Sequence, residues 1–161
     1  MEQSEFRALA QAHQDMVYRI ALNFFRNPQD AEDVTQDVLL RLYLRQEPFD
    51  GPDHPRSWLI QVTLNRCRSL WRAPWRRRQV PLDELTAAIP FQGPEESGLF
   101  QAVMALPRRH RTVLYLFYYE DLSVAQIARL LRISTSAVTT RLSRARKALK
   151  QAWTEDECHG L

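Results

Sequence analysis

The sequence predicts an all-α protein of two small helical domains joined by a flexible linker. Three observations carry that expectation. Apolar residues recur at helical spacing through most of residues 1–72 and 98–151, and no strand-like alternation competes with them. Between those stretches, Gln79 to Ser97 holds three prolines and a glycine with little periodicity, which is the composition of a linker. At 161 residues the chain can form one domain or two small ones. The expected boundaries are a first domain at 1–78, a linker at 79–97, a second domain at 98–151 and an acidic tail at 152–161.

Residues 1–25 read as an amphipathic helix with Phe6, Leu9, His13, Met16, Val17, Ile20 and Phe24 on one side. His13 lies within that stripe and reads as a partly buried core residue, not a ligand. Asn27-Pro28-Gln29 breaks the helix, and Asp30 is the expected cap of a second one running to about Arg45. Glu47 to Pro55 has three prolines and a glycine in nine residues and reads as a loop. A third helix is expected over Arg56 to Arg72, with Trp58, Leu64, Leu70 and Trp71 in its core. The linker holds at most a helical turn at Leu82–Ala88, and helices resume near Gly98.

Leu106 to Gln151 reads as a helix-turn-helix. Ser123 and Gln126 form a capping box, and Val124, Ile127, Leu130 and Leu131 follow at helical spacing. After a break at Arg132-Ile133-Ser134, Ser134 is a good N-cap for the next helix. Val138, Leu142, Ala145 and Leu149 share one stripe of that helix, and Ser136, Thr140, Ser143, Arg144 and Lys147 fall on the opposite face. Arg141 flanks the buried side. A helix anchored on one side and bearing hydroxyls and cations on the other suits a major-groove reader.

Net charge is +3, but its distribution matters more than its sum. Residues 1–50 carry −4, residues 51–80 carry +6, residues 81–105 carry −4, residues 106–150 carry +8 and the tail carries −3. Two basic blocks separated by an acidic spacer indicate two nucleic-acid contacts on one chain, with other surfaces left for other partners. Trp75 with Arg76-Arg77-Arg78 suits either a phosphate patch or a solubilising run.

Other classes are disfavoured. No apolar run approaches the ~20 residues of a membrane span. Glu2 and Glu5 stand where a signal peptide has basic residues, and no apolar h-region follows them. Cys67 and Cys158 are far apart, as suits a reducing cytoplasm. Cys158-His159 could supply half of a metal site, but no partner ligands are evident, so neither metal nor cofactor is expected. With no Gly-rich phosphate loop and no nucleophile–base pair, the chain does not read as an enzyme.

Two further surfaces emerge from helical spacing. On the second helix, Ala31, Val34, Thr35, Val38 and Leu42 face the core, whereas Asp33, Gln36, Asp37, Leu40 and Leu44 face outward. Leucines flanked by carboxylates do not suit a purely solvated face and point to a protein–protein patch. On the third helix, Gln61, Asn65, Arg68 and Arg72 form one polar stripe, in which amides can meet base edges and guanidiniums can meet phosphates.

Three ordered blocks resemble bacterial sigma factors of the sigma-70 family. Asp30-Ala31-Glu32-Asp33-Val34-Thr35-Gln36-Asp37-Val38-Leu39-Leu40-Arg41-Leu42-Tyr43 is similar to their clamp-binding helix. Arg56-Ser57-Trp58-Leu59-Ile60 through Asn65 is similar to their promoter-melting helix. Leu106-Pro107-Arg108-Arg109-His110-Arg111 and Val138 through Arg146 are similar to their fourth domain. The short length, without the first and third sigma domains, suits the extracytoplasmic-function (ECF) group. The resemblance covers residues ~5–75 and ~98–151 in order, and three such blocks are far more specific than a helix-turn-helix alone.

The resemblance implies the following roles. Asp33, Gln36 and Asp37, with Leu40 and Leu44, would meet the clamp helices of core RNA polymerase. Asn65, with Gln61, Arg68 and Arg72, would read the −10 promoter element as it melts. Phe49, in the proline-rich loop, would stack a flipped base or else plug the domain. Ser136, Thr139, Thr140, Arg141, Ser143, Arg144 and Lys147 would contact the −35 duplex. The linker acids Asp83, Glu84, Glu95 and Glu96 would thread the polymerase channel, and an anti-sigma protein is an expected partner. Departures from the family pattern are Ser69 in place of a frequent Asp, Arg132 in place of a frequent Gly, and Thr139 in place of a frequent Arg. The alternative readings are an autonomous helix-turn-helix regulator and, less favoured, an adaptor that uses the motif for protein contact.

Limited proteolysis of the free protein should cut first between Gln79 and Ser97, where composition predicts exposed backbone. Resistance throughout that stretch would show that the domains shield it.

Overall fold

The computed structural model describes residues 1–73 and 98–159, and every regular element among them is α-helical. The linker at Gln79–Ser97, its turn at Leu82–Ala88 and the Trp75–Arg78 run lie outside the described residues. The chain divides into two compact units, residues 1–89 and 90–161.

The first unit packs α1 (Gln3–Phe25), α2 (Pro28–Leu44) and α3 (His54–Trp71) against one another. Each helix contributes an apolar stripe. Val17, Ile20 and Phe24 of α1 meet Ala31, Val34, Val38 and Leu42 of α2 and Leu59, Ile60 and Leu64 of α3, all of them buried. Burying each larger aliphatic side chain contributes about 1.5–3 kcal/mol before the entropy of ordering is counted. Trp71 lies at the edge of this core, its ring centroid 6.4 Å from those of Phe24 and Phe25. Thr63 is fully buried and donates its hydroxyl to the Leu59 carbonyl at 2.6 Å, which removes the cost of an unpaired buried group. His13 is half-buried as expected, and burial, with Arg56 adding to it, lowers the imidazole pKa.

Two helix starts differ from expectation. α2 begins three residues early because Asn27, not Asp30, is its cap. The Asn27 Oδ1 accepts from the backbone N–H of Gln29 at 2.9 Å and of Asp30 at 3.4 Å. Pro28 at the first helical position has no N–H to satisfy and a φ already suited to a helix. Asp30 sits in the first turn, where its charge favours the helix dipole. α3 starts at His54, not Arg56, again with a proline, Pro55, in its first turn. The loop before it is held by the Asp50 N–H, which donates to His54 Nδ1 at 2.9 Å.

The second unit comprises α4 (Gly98–Ala105), α5 (Arg108–Tyr118), α6 (Val124–Leu131) and α7 (Thr135–His159). α7 continues past the Gln151 boundary, so residues 152–159 of the acidic tail are helical. Val113, Leu116, Ile127, Val138, Leu142 and Ala145 form the buried core. Both expected caps are present. The Ser123 N–H donates to Gln126 Oε1 at 2.8 Å while the Gln126 N–H donates to Ser123 Oγ at 3.1 Å, and the Ala137 N–H donates to Ser134 Oγ at 3.0 Å. Arg111 is buried and spends its charge structurally, Nη1 donating to the carbonyls of Leu106 at 3.0 Å and Met104 at 3.3 Å. It thereby satisfies acceptors at the end of α4.

The turn between α6 and α7 places Arg132 at φ 58°, in the left-handed region, so a non-glycine does occupy the position where glycine is the easier fit. The Ile133 N–H donates to the Ala128 carbonyl at 3.0 Å, closing the helix in Schellman fashion. The strain is about 1 kcal/mol, partly offset in any glycine variant by a freer unfolded chain. Arg132→Gly should therefore stabilise the chain by about 0.5 kcal/mol or less in denaturant unfolding. Reduced stability would mean that the Arg132 side chain contributes more than its backbone conformation costs.

Candidate polymerase and nucleic-acid surfaces

Because Ala31, Val34, Val38 and Leu42 are buried, the remainder of α2 is turned outward. Asp33, Gln36, Leu40 and Leu44 are exposed, Leu40 at 54% and Leu44 at 63%. Tyr43, which periodicity alone did not single out, is 46% exposed beside them, with its ring 5.2 Å edge-on to Phe6 of α1. The result is a strip of two leucines and a tyrosine bordered by carboxylates. Asp37 differs from its neighbours. Its Oδ2 lies 2.9 Å from Arg66 Nε on α3 and 3.4 Å from Arg41 Nε, so it faces the seam between α2 and α3. The Arg66 contact is an ion pair without the alignment of a hydrogen bond. Arg66 was legible in sequence only as a charge; its partner is set by how the helices cross.

The polar stripe of α3 is also present. Asn65 is exposed, and its Oδ1 accepts from Gln61 Nε2 at 3.1 Å and from Arg68 Nη2 at 3.2 Å. Both lone pairs of that oxygen are thereby used, so the amide nitrogen is the group left to donate to a base. A paired donor–acceptor contact from Asn65 to a base would require one of these two bonds to open. Arg72 is exposed at the helix end. Phe49 is half-buried, with its ring 5.1 Å from His54 and 5.9 Å from Trp58. The Arg45 guanidinium sits 4.3 Å from the Phe49 centroid and 5.0 Å from that of Trp58. Such cation–π contacts hold the loop against the start of α3. Phe49 is thus packed into an aromatic cluster, with a cation over one face.

On α7, Ser136, Thr139, Thr140, Ser143, Arg144 and Lys147 are exposed, opposite the buried Val138, Leu142 and Ala145. Thr139 donates its hydroxyl back to the Ser136 carbonyl at 2.9 Å, and Arg141 is half-buried at the flank. Arg146, not among the expected contacts, donates from Nε to the Tyr118 hydroxyl at 2.6 Å and ties α7 to α5. Among the described residues no group of three His, Cys, Asp or Glu side chains could hold a metal ion. No described helix is long and apolar enough to cross a membrane.

Residues 9–77 match the family described as Sigma-70 region 2, and residues 98–149 match Sigma-70, region 4. The ECF RNA polymerase sigma factor SigL of Mycobacterium tuberculosis is 31% identical over 157 residues, which cover 92% of this chain and 89% of SigL. The chain belongs to the ECF group of the sigma-70 family. It is therefore a sigma factor, a non-enzymatic protein of transcription initiation with a DNA-binding helix-turn-helix. SigV of Bacillus subtilis is 27% identical, covering 90% of this chain and 89% of SigV. Two solved structures share the fold. The sigma factor RpoE of Bartonella quintana, crystallised with the anti-sigma factor NepR, aligns with a TM-score of 0.74 at 19% identity over 94% of this chain and 98% of RpoE. CnrH, solved with the cytosolic domain of CnrY, aligns at 0.63 and 24% identity over 96% of this chain and 91% of CnrH.

The occupied Oδ1 of Asn65 makes a sharp expectation. Asn65→Asp keeps an acceptor for Gln61 and Arg68 but removes the donor, so it should lose at least as much promoter preference as Asn65→Ala. Loss of one base contact costs about 1–3 kcal/mol, a roughly five- to hundredfold drop on the preferred promoter. Transcription from templates mutated base by base would check this. Retained preference in Asn65→Asp would mean that the carbonyl does the reading, and an equal loss on every template would mean that Asn65 only supports the helix.

Proposed function

We propose that the first unit docks on the clamp helices of core RNA polymerase through α2 and opens the −10 element along α3, while α7 of the second unit reads the −35 duplex. The observation that carries this reading is the Leu40–Tyr43–Leu44 strip, exposed on a helix adjacent to a polar, base-compatible stripe. An autonomous DNA-binding regulator has no need of an apolar strip there, whereas a factor that must be held on a polymerase does. Asp33 and Gln36 border the strip and supply polar contacts at its rim. Two weak DNA sites on one chain gain from effective concentration once polymerase fixes their spacing.

The wider organisation follows. The domain limits are 1–78 and 98–151, with 79–97 as the linker. An anti-sigma factor is the expected antagonist, because RpoE of Bartonella quintana was solved with such a partner and an exposed apolar strip is open to competition. The protein works where polymerase is, in the cytoplasm.

Run-off transcription with core polymerase and mapped start sites tests the reading directly. Asp33→Lys combined with Leu40→Ala and Leu44→Ala should weaken binding to core polymerase by about tenfold or more, since each truncated leucine forfeits roughly 1 kcal/mol or more of buried apolar contact. None of the three side chains enters the core, so unfolding behaviour should be preserved. Asp37 is left out of that set because its pairing with Arg66 makes any change there ambiguous. Normal affinity in the triple variant would remove α2 as the docking face.

A further inference from the structure

Asp37 and Arg66 meet across the seam between α2 and α3, the helices assigned to polymerase and to the promoter. Asp37 Oδ2 lies 2.9 Å from Arg66 Nε and 3.4 Å from Arg41 Nε. The Asp37 and Arg66 side chains are 32% and 30% exposed, yet Asp37 Oδ2 and Arg66 Nε themselves are closed off from water. An oxygen so enclosed is not offered to a partner outside the domain while the pair stands. Asp33, one turn earlier, and the adjacent Gln36 are exposed instead. The acid that α2 turns inward is Asp37.

On α3, three consecutive residues face three ways. Asn65 is exposed in the promoter stripe, Arg66 reaches the seam, and Cys67 is fully buried in the core. Gln61 and Arg68 hold the Asn65 Oδ1 from one turn to either side. Whatever places Arg66 therefore also places the backbone that carries Asn65. Apolar packing is non-directional, and α2 and α3 share a smaller seam with each other than either shares with α1. The ion pair adds a directional fixed point across that seam, beside Asn65.

We propose that Asp37 and Arg66 are positioning residues for promoter reading: Asp37 acts through Arg66 to hold Asn65 at the angle that the docked helix α2 sets, and is not itself a polymerase contact. The proposal rests on the assignment of α2 to polymerase and α3 to the −10 element, and it moves one acid from docking to reading. A pair at this exposure changes promoter preference by no more than roughly fivefold, so breaking it weakens discrimination without abolishing it.

The test uses the full chain with core polymerase on a promoter whose start site has been mapped. The same template altered at the base that Asn65 reads, found by base-by-base mutation, serves as the comparison. Asp37→Ala should bind core polymerase as the parent does. It should lower transcription from the intact promoter roughly two- to fivefold, with little change on the altered one. Arg66→Ala should do the same, and the doubly substituted chain should be no worse than either, because each change removes the same pair. Arg66→Lys, which keeps a cation at the seam, should recover most of the parent's preference. In an Asn65→Ala background neither alanine change should lower transcription further, whereas a merely structural loss would still do so. A loss of core affinity in Asp37→Ala that Arg66→Ala does not share makes Asp37 a docking residue and overturns the proposal. Equal losses on both templates, or a further loss in the Asn65→Ala background, overturn it too, and both leave the assignment of α3 standing. If Asn65→Ala alone changes no base preference, the assignment of α3 fails, and this proposal fails with it.

Discussion

The rotational setting of α2 and α7 about their own axes is the constraint on which the proposed polymerase surface and the proposed duplex surface of this sigma factor rest. Each helix has one narrow stripe that is almost wholly buried: Ala31, Val34, Val38 and Leu42 in α2, and Val138, Leu142 and Ala145 in α7. A helix so anchored cannot turn without exposing that stripe, at a cost of several kcal/mol. The outward residues, Leu40 and Leu44 on α2 and Ser143, Arg144 and Lys147 on α7, are therefore fixed in direction by the core behind them. Small domains of this size have few other means of orienting a surface.

Polar side chains finish what the apolar stripes begin. In the second unit, Arg111 is drawn inside to satisfy carbonyls at the end of α4, and Tyr115 donates its hydroxyl to the buried Glu120 at 2.8 Å. Glu120 and the left-handed Asp121 precede the Ser123 capping box, so the turn into the helix-turn-helix is specified by backbone conformation as well as side-chain bonding. Arg132 closes the next turn at some strain. The strongly basic charge of this region is thus divided between an inside role, that of Arg111, and an outside one.

In the first unit the Asp37–Arg66 ion pair joins the helix proposed to meet polymerase to the helix proposed to meet the promoter. At roughly a third exposure for each partner, solvent screens the pair, and its contribution to stability is modest. Its geometric effect is larger than its energy. It spans the α2–α3 seam next to Asn65 in the chain, so the docking strip and the hydrogen-bonded Gln61–Asn65–Arg68 group are held in a defined relation. The aromatic cluster of Phe49, His54 and Trp58 under Arg45 does the same for the loop that leads into α3.

The sequence by itself determined the helical class, the buried stripes of α2 and α7, both caps of the helix-turn-helix and the residue types of the three candidate surfaces, because helical periodicity and capping are local properties of the chain. On α3 it missed the buried face, where Leu59, Ile60 and Cys67 join Leu64 while Trp58, Leu70 and Trp71 stay half-buried. The start of α2 was misread only because Asn27 and Asp30 are both good caps, and Pro28 decides between them through its fixed φ. Tertiary structure alone decided which charges are spent internally. Arg111, Arg66 and Arg146 look in sequence like any other surface cation, yet they pair with carbonyls, a carboxylate and a phenol that other helices or helix ends bring to them. Asn65 lost its free acceptor in the same way, to neighbours one turn away whose rotamers no pattern specifies. Periodicity says which side of a helix a residue is on; only the packed fold says what is waiting there.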